Sequence, residues 1–115
     1  MNILVTGATG YIGSHTVVEL VRSRYNVIGL DNFINSNRKT IESIKQISGS
    51  DFKFHTVDMT DYYKLKDVFN QNEIDVVIHF AALKSVSESV INPLNYYHNN
   101  ITGTLNLLKC MSEKK

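Results

Sequence analysis

Asn2-Ile3-Leu4-Val5-Thr6-Gly7-Ala8-Thr9-Gly10-Tyr11-Ile12-Gly13 decides the fold, because a short apolar run passes directly into three closely spaced glycines. The run predicts a buried strand. The glycines predict a tight turn that exposes backbone N–H groups and brings the next helix close to the strand, an arrangement that holds a pyrophosphate on a helix N-terminus. Two residues separate Gly7 from Gly10, against one in the commoner spacing, so the surrounding pattern carries most of the argument. Ile12, Thr16 and Leu20, with Val17 and Val21, recur at intervals of four and predict a helix with one face against a sheet. Asn26-Val27-Ile28-Gly29-Leu30 then predicts a second strand ending in Asp31, about 20 residues past the glycines, where an acceptor for ribose hydroxyls belongs.

After Asp31 comes a polar loop, Asn32-Phe33-Ile34-Asn35-Ser36-Asn37, at the carboxyl end of strand two, where ligands gather in such sheets. Its asparagines also suit simple turn formation. Arg38 and Lys39 are candidates for a 2′-phosphate, but Asp31 would repel that group and accept from two free hydroxyls, which favours NAD over NADP. Ile41, Ile44 and Ile47 predict a second helix stopped by Gly49. Alternation over 52–57 predicts a third strand ending at Asp58-Met59, where a carboxylate and an apolar flank suit an adenine. Asp58 and Thr60 also suit the start of the helix carrying Tyr62, Leu65, Val68 and Phe69.

That helix contains Tyr62-x-x-x-Lys66, the spacing of a general base and its cation, but on the adenine side of the sheet it is too far from the nicotinamide end to be catalytic. Ile74 to Phe80 predicts a fourth, fully covered parallel strand leading into Ala81-Ala82-Leu83-Lys84. The two alanines allow close backbone approach, and Lys84 supplies a mobile cation for phosphates. Asn92-Pro93 predicts the cap and first turn of a last helix that buries Leu94, Tyr97, Ile101, Leu105 and Leu108, with Gly103 inside it for close packing. The whole is an α/β, Rossmann-like doubly wound parallel sheet of order 3-2-1-4, truncated after about four strands.

The 115 residues make one domain at most, short for a complete dinucleotide enzyme. A formal charge of +1 with interspersed acids and bases gives no basic face for nucleic acid, and no apolar run has the length of a membrane span. The partner is a small molecule. The single Cys110 has no internal disulfide partner and lies on an apolar helical pattern beside Leu107, Leu108 and Met111, as a buried structural thiol; with no leader after Met1, the expected location is cytoplasmic. His15, His55, His79 and His98 have no metal-ligand spacing, so no metal is expected.

The run from His79 to Ser89, together with Pro93-Leu94-Asn95-Tyr96-Tyr97, 99–104, Thr6 to His15, Leu30-Asp31-Asn32 and Asn35-Ser36, resembles the UDP-glucose 4-epimerase family of extended short-chain dehydrogenases/reductases along essentially the whole chain. Nucleotide-sugar 4,6-dehydratases share the first glycines but differ after the two alanines, and Ala82 stands where many epimerases have glycine. The resemblance implies that Gly7, Gly10 and Gly13, with the backbone of Tyr11 and Ile12, hold the pyrophosphate of NAD. Asp31 would bind the adenine ribose, with Asn32, Phe33, Ile34, Asn35 and Ser36 wrapped around it. Asp58 and Met59 would contact the adenine, Phe80, Ala81, Ala82, Leu83 and Lys84 would run toward the nicotinamide, and Asn99 would order that end.

The family's reaction interconverts UDP-galactose and UDP-glucose through a 4-keto sugar while NAD is transiently reduced. The resemblance places its serine or threonine, tyrosine and lysine after a fifth strand, so the expectation is an N-terminal NAD-binding part with no catalytic residue and no activity alone. It would self-associate, as a homodimer or through the open edge of strand four. Three rivals keep their place: a non-catalytic NAD-binding or sensing module, another nucleotide-sugar short-chain dehydrogenase such as a 4,6-dehydratase, and a structural dimerisation piece pairing through its last helix.

Overall fold

The computed structural model describes residues 1–114. The chain forms two compact units, one of residues 1–56 with 73–81 and one of residues 57–72 with 82–114. The first holds the sheet. Strands β1 (Asn2–Thr6), β2 (Asn26–Asp31), β3 (Lys53–Thr56) and β4 (Val76–His79) pair in parallel in the order β3-β2-β1-β4. Leu4 lies opposite Ile28 on one side and Val77 on the other, which makes β1 the central strand and aligns the carboxyl ends of all its neighbours. This is the α/β arrangement and strand order expected from the sequence.

Helices α1 (Tyr11–Arg22) and α2 (Lys39–Ser48) complete the first unit. Ile3, Val5, Val17, Val18, Val27 and Ile44 form one buried cluster, with Leu20, Val21, Phe52, Phe54 and Phe80 packed around it. Each such aliphatic side chain contributes about 1.5–3 kcal/mol on burial. The α1 stripe departs from the periodic pattern at its start: Ile12 is 55% exposed and Val18 is buried. Ile12 belongs to the first turn, where the helix faces the glycine loop. Gly49 ends α2 in the left-handed conformation, as its position predicts. Strand β4 is shorter than the apolar run around it and lies at the sheet edge, with Val76 and His79 exposed and Val77 and Ile78 half-buried, where full cover was expected.

The second unit contains α3 (Tyr62–Gln71), α4 (Val86–Ile91), α5 (Pro93–Tyr97), a single π-helical turn at His98–Thr102, and α6 (Gly103–Glu113). Asp61 caps α3 by accepting from the Lys64 N–H, a role the sequence assigned to Asp58 or Thr60. Pro93 stands in the first turn of α5, but the Asn92 side chain makes no cap. The predicted single last helix is instead three segments in close succession. Its expected buried stripe is also corrected: Leu94, Tyr97, Ile101, Leu105 and Leu108 are exposed, while Gly103, Leu107 and Cys110 are buried. Burial pushes the Cys110 thiol pKa up, which leaves it inert. Among the described residues no helix is long and apolar enough to cross a membrane.

A surface knot ties α3 to α6. The Tyr62 hydroxyl donates to the Glu113 carboxylate at 2.8 Å, Lys66 Nζ stands 3.2 Å from it, and Lys109 Nζ lies 4.2 Å from the Tyr62 ring centroid. The Tyr62 hydrogen bond first, then Lys66, lowers the Glu113 pKa; the Glu113 hydrogen bond raises that of Lys66. A depressed acid stabilises the fold in full above its ordinary 4.5 and loses that contribution as pH falls below it. A raised lysine stabilises in full below 10.5 and loses it above. Thermal melts of the parent and Glu113→Gln are therefore expected to differ at neutral pH and to converge in acid. Equal melting temperatures at neutrality would show the knot to be idle.

Candidate functional site

The glycine loop joins β1 to α1. Gly7 has φ +68°, and a β-carbon there would stand 2.8 Å from the Ala81 nitrogen and 2.9 Å from the Phe80 carbonyl carbon. A β-carbon on Gly13 would overlap the Gly7 carbonyl oxygen. The first position needs glycine for its backbone angle and both need it for space. The loop is thus pressed between the start of α1 and the end of β4. Gly10, at the N-cap of α1, carries no side chain to bond the first-turn N–H groups of Tyr11, Ile12 and Gly13, and helix geometry gives these groups no intrahelical acceptor. Tyr11 and Ile12 point out, at 83% and 55% exposure.

The Asp31 carboxylate is built into this loop. One oxygen accepts from the Thr9 N–H at 3.1 Å and the other from the Phe33 N–H at 3.1 Å. The Thr9 and Ser36 hydroxyls are 2.7 Å apart, so Thr9 joins the glycine turn to both ends of the 31–36 loop. Sequence reasoning missed Thr9; its only signal was a hydroxyl between two glycines. A carboxylate has about four acceptor positions, which leaves Asp31 capacity for ligand hydroxyls. Asn32 accepts from the Ile34 N–H and shapes the loop, while Ile34 and Asn35 are exposed. At the far side of the turn the Ala81 N–H donates to Thr6 Oγ1 at 3.3 Å, and Thr6 Oγ1 lies 2.6 Å from His79 Nδ1. The structure thus brings together Gly7, Gly10, Gly13, Asp31, the 32–36 loop, Phe80 and Ala81.

The remaining predicted residues lie in the second unit. Met59 is buried, with its carbonyl accepting from Asn106 Nδ2 at 2.9 Å, and its Cβ is the nearest neighbour a side chain on Gly103 would meet. Asp58 accepts from the Thr60 N–H and hydroxyl. Leu83 is buried and held in both directions by Asn100, whose Oδ1 accepts the Leu83 N–H at 2.8 Å and whose Nδ2 donates to the Leu83 carbonyl at 2.9 Å. Asn99 Nδ2 donates to the same Asn100 oxygen. Both asparagines lie in the π-helical turn. Ser85 caps α4, and the Tyr96 hydroxyl accepts the Ser85 N–H while donating to Glu88. With Asn100 and Tyr96 fixing the backbone on either side of it, Lys84 remains exposed. Neither clamp was foreseen. Tyr62 and Lys66 are both engaged by Glu113, as described above.

A parallel sheet of this order with a glycine turn and an acid closing the second strand defines an α/β dinucleotide fold. The family described as GDP-mannose 4,6 dehydratase matches residues 4–115, and the chain belongs to it. Within that class the chain is similar to UDP-glucose 4-epimerases, the branch that the Leu83-Lys84 segment resembles. The chain is 51% identical over 113 residues to a UDP-glucose 4-epimerase of Bacillus subtilis, covering 98% of this chain and 33% of that protein. A Haemophilus influenzae UDP-glucose 4-epimerase is 52% identical with the same coverage. Among solved structures, the UDP-glucose 4-epimerase from Bifidobacterium longum in complex with NAD+ and UDP superposes with a TM-score of 0.96 at 45% identity, covering 99% of this chain and 34% of that one. The chain therefore spans about a third of the length of the curated relatives it matches.

Proposed function

We propose that the chain is the NAD-binding part of an enzyme that interconverts UDP-galactose and UDP-glucose. The observation that carries this reading is the cradle at Gly7 and Gly13, where any β-carbon would meet backbone, set beside an acid whose carboxylate orders the loop. Those residues fit a pyrophosphate with a ribose beside it. The relatives crystallised with NAD support the choice of cofactor. When bound, NAD supplies a reversible hydride acceptor.

The chain's own residues bind and orient. Gly7, Gly10 and Gly13 with the N–H groups of Tyr11 and Ile12 take the pyrophosphate; Asp31 takes the ribose hydroxyls, and residues 32–36 enclose them. The family resemblance assigns Asp58 and Met59 to the adenine, and residues 80–84 with Asn99 to the nicotinamide end. Turnover is assigned to a polypeptide of the relatives' full length, and a cytoplasmic setting to the unpaired Cys110. Self-association through the exposed edge of β4 accompanies this reading.

Calorimetric titration of the 115-residue chain with NAD, run beside an assay of UDP-galactose conversion and light scattering, tests it. Binding without conversion is the expected result. Absence of binding at millimolar NAD overturns the cofactor assignment, conversion by this chain overturns the division of labour, and a monomer at high concentration removes the edge contact.

A further inference from the structure

Phe33 occupies the left-handed region, with φ +61°, a conformation that a bulky non-glycine residue holds only when its surroundings impose it. Three contacts do so. Its N–H donates to Asp31 Oδ1, its ring packs on Phe54 with centroids 5.4 Å apart, and the Arg38 guanidinium carbon stands 4.7 Å from its ring centroid. Arg38 lies at the N-cap of α2, the positive end of a helix, which disfavours a cation. Among the described residues it makes no ion pair. The aromatic ring is therefore what holds the guanidinium in place.

We propose that Phe33 is a specificity-determining residue: by holding Arg38 on its ring it keeps the guanidinium away from the cofactor's ribose 2′ position, so that Asp31 accepts from a 2′-hydroxyl and a 2′-phosphate finds no counter-charge. This rests on the NAD-binding reading above and deepens it. A guanidinium is the side chain best matched to a phosphate dianion. Placed beside Asp31 it would neutralise the carboxylate and pair with the phosphate. On the ring it does neither, and the backbone angle of Phe33 directs the ring to that position. The conformation is thus part of the selection.

The test is calorimetric titration of the 115-residue chain and its variants with NAD and with NADP, alongside circular dichroism. Phe33→Leu, which removes the ring face and keeps an apolar side chain on Phe54, is expected to raise NADP affinity relative to NAD by about tenfold. Arg38→Ala alone is expected to leave the ratio within about twofold of the parent, and the double variant to lose the gain, since the gain needs the released cation. Arg38→Lys leaves Phe33 and Phe54 untouched and substitutes a flexible ammonium that stacks less well; about a threefold rise is expected, which keeps the test decisive if Phe33→Leu does not fold. An unmoved ratio in folded Phe33→Leu or in Arg38→Lys overturns the proposal, as does a gain that survives in the double variant. NAD binding with an unmoved ratio overturns this assignment alone; no NAD binding by the parent overturns it together with the cofactor reading.

Discussion

Gly13→Ala is expected to lower stability by about 3 kcal/mol and to weaken NAD binding by at least about a hundredfold. The added methyl meets the Gly7 carbonyl, which is backbone and has no rotamer to change. The only relief is for α1 to move away from β1. Val17 and Val18 must then leave the cluster they form with Val5 and Val27, and the first-turn N–H groups move from the mouth of the loop. Alanine's better helix propensity returns no more than about 1 kcal/mol. Gly49→Ala is the matched control, because Gly49 also has a positive φ but has open space around it. That change is expected to cost about 1–2 kcal/mol for the backbone angle and to leave NAD binding unchanged. Thermal melts and NAD titration of the two variants decide the matter, and a Gly13→Ala protein that melts and binds like the parent would refute the close approach.

Asp31→Ala is expected to reduce NAD affinity by about a hundredfold to ten-thousandfold, two charged hydrogen bonds being worth about 1.5–3 kcal/mol each. Its effect on stability is smaller. Asp31 is partly exposed, so water replaces it at the Thr9 and Phe33 N–H groups, and about 1–2 kcal/mol is the expected loss. Asp31→Asn separates the two roles. Its amide oxygen still accepts from one N–H, but its NH2 faces the other donor, so stability lies between parent and alanine while affinity stays low. Retention of NAD affinity within about threefold in Asp31→Ala would contradict the assignment of the ribose acceptor.

The sheet was legible because its signals are local and redundant. Strands β1, β2 and β4 are short apolar runs and β3 alternates, Gly7 and Gly13 sit where backbone meets backbone, and Asp31 closes a strand at the spacing expected of a ribose acceptor. What Asp31 does inside the protein was not legible, since its bonds to Thr9 and Phe33 depend on how the 31–36 loop closes. Gly29 was silent for a related reason: its β-carbon would meet Phe52, Phe54 and Ala8, three side chains whose convergence only the folded sheet creates. The region after Lys84 misled in a more instructive way. Leu94, Tyr97, Ile101, Leu105 and Leu108 do recur at helical spacing, but periodicity identifies an apolar face without saying that this chain covers it. The π-helical turn at His98–Thr102 adds a residue to the turn, so a stripe drawn through it at 3.6 residues per turn drifts off phase. The face that is buried, Gly103, Leu107 and Cys110, begins only after that turn.

The central position of β1 also bears on how the molecule assembles. Leu4 pairs with Ile28 about 24 positions along the chain and with Val77 about 73 along, a difference in loop-closure entropy of about 1 kcal/mol. Asp31 is delivered by the nearer pairing, whereas the wall behind Gly7, at Phe80 and Ala81, arrives with the farther one. An anion bound in the finished cradle is therefore thermodynamically linked to the docking of β4, and saturating ligand holds in place the strand whose closure costs the most entropy.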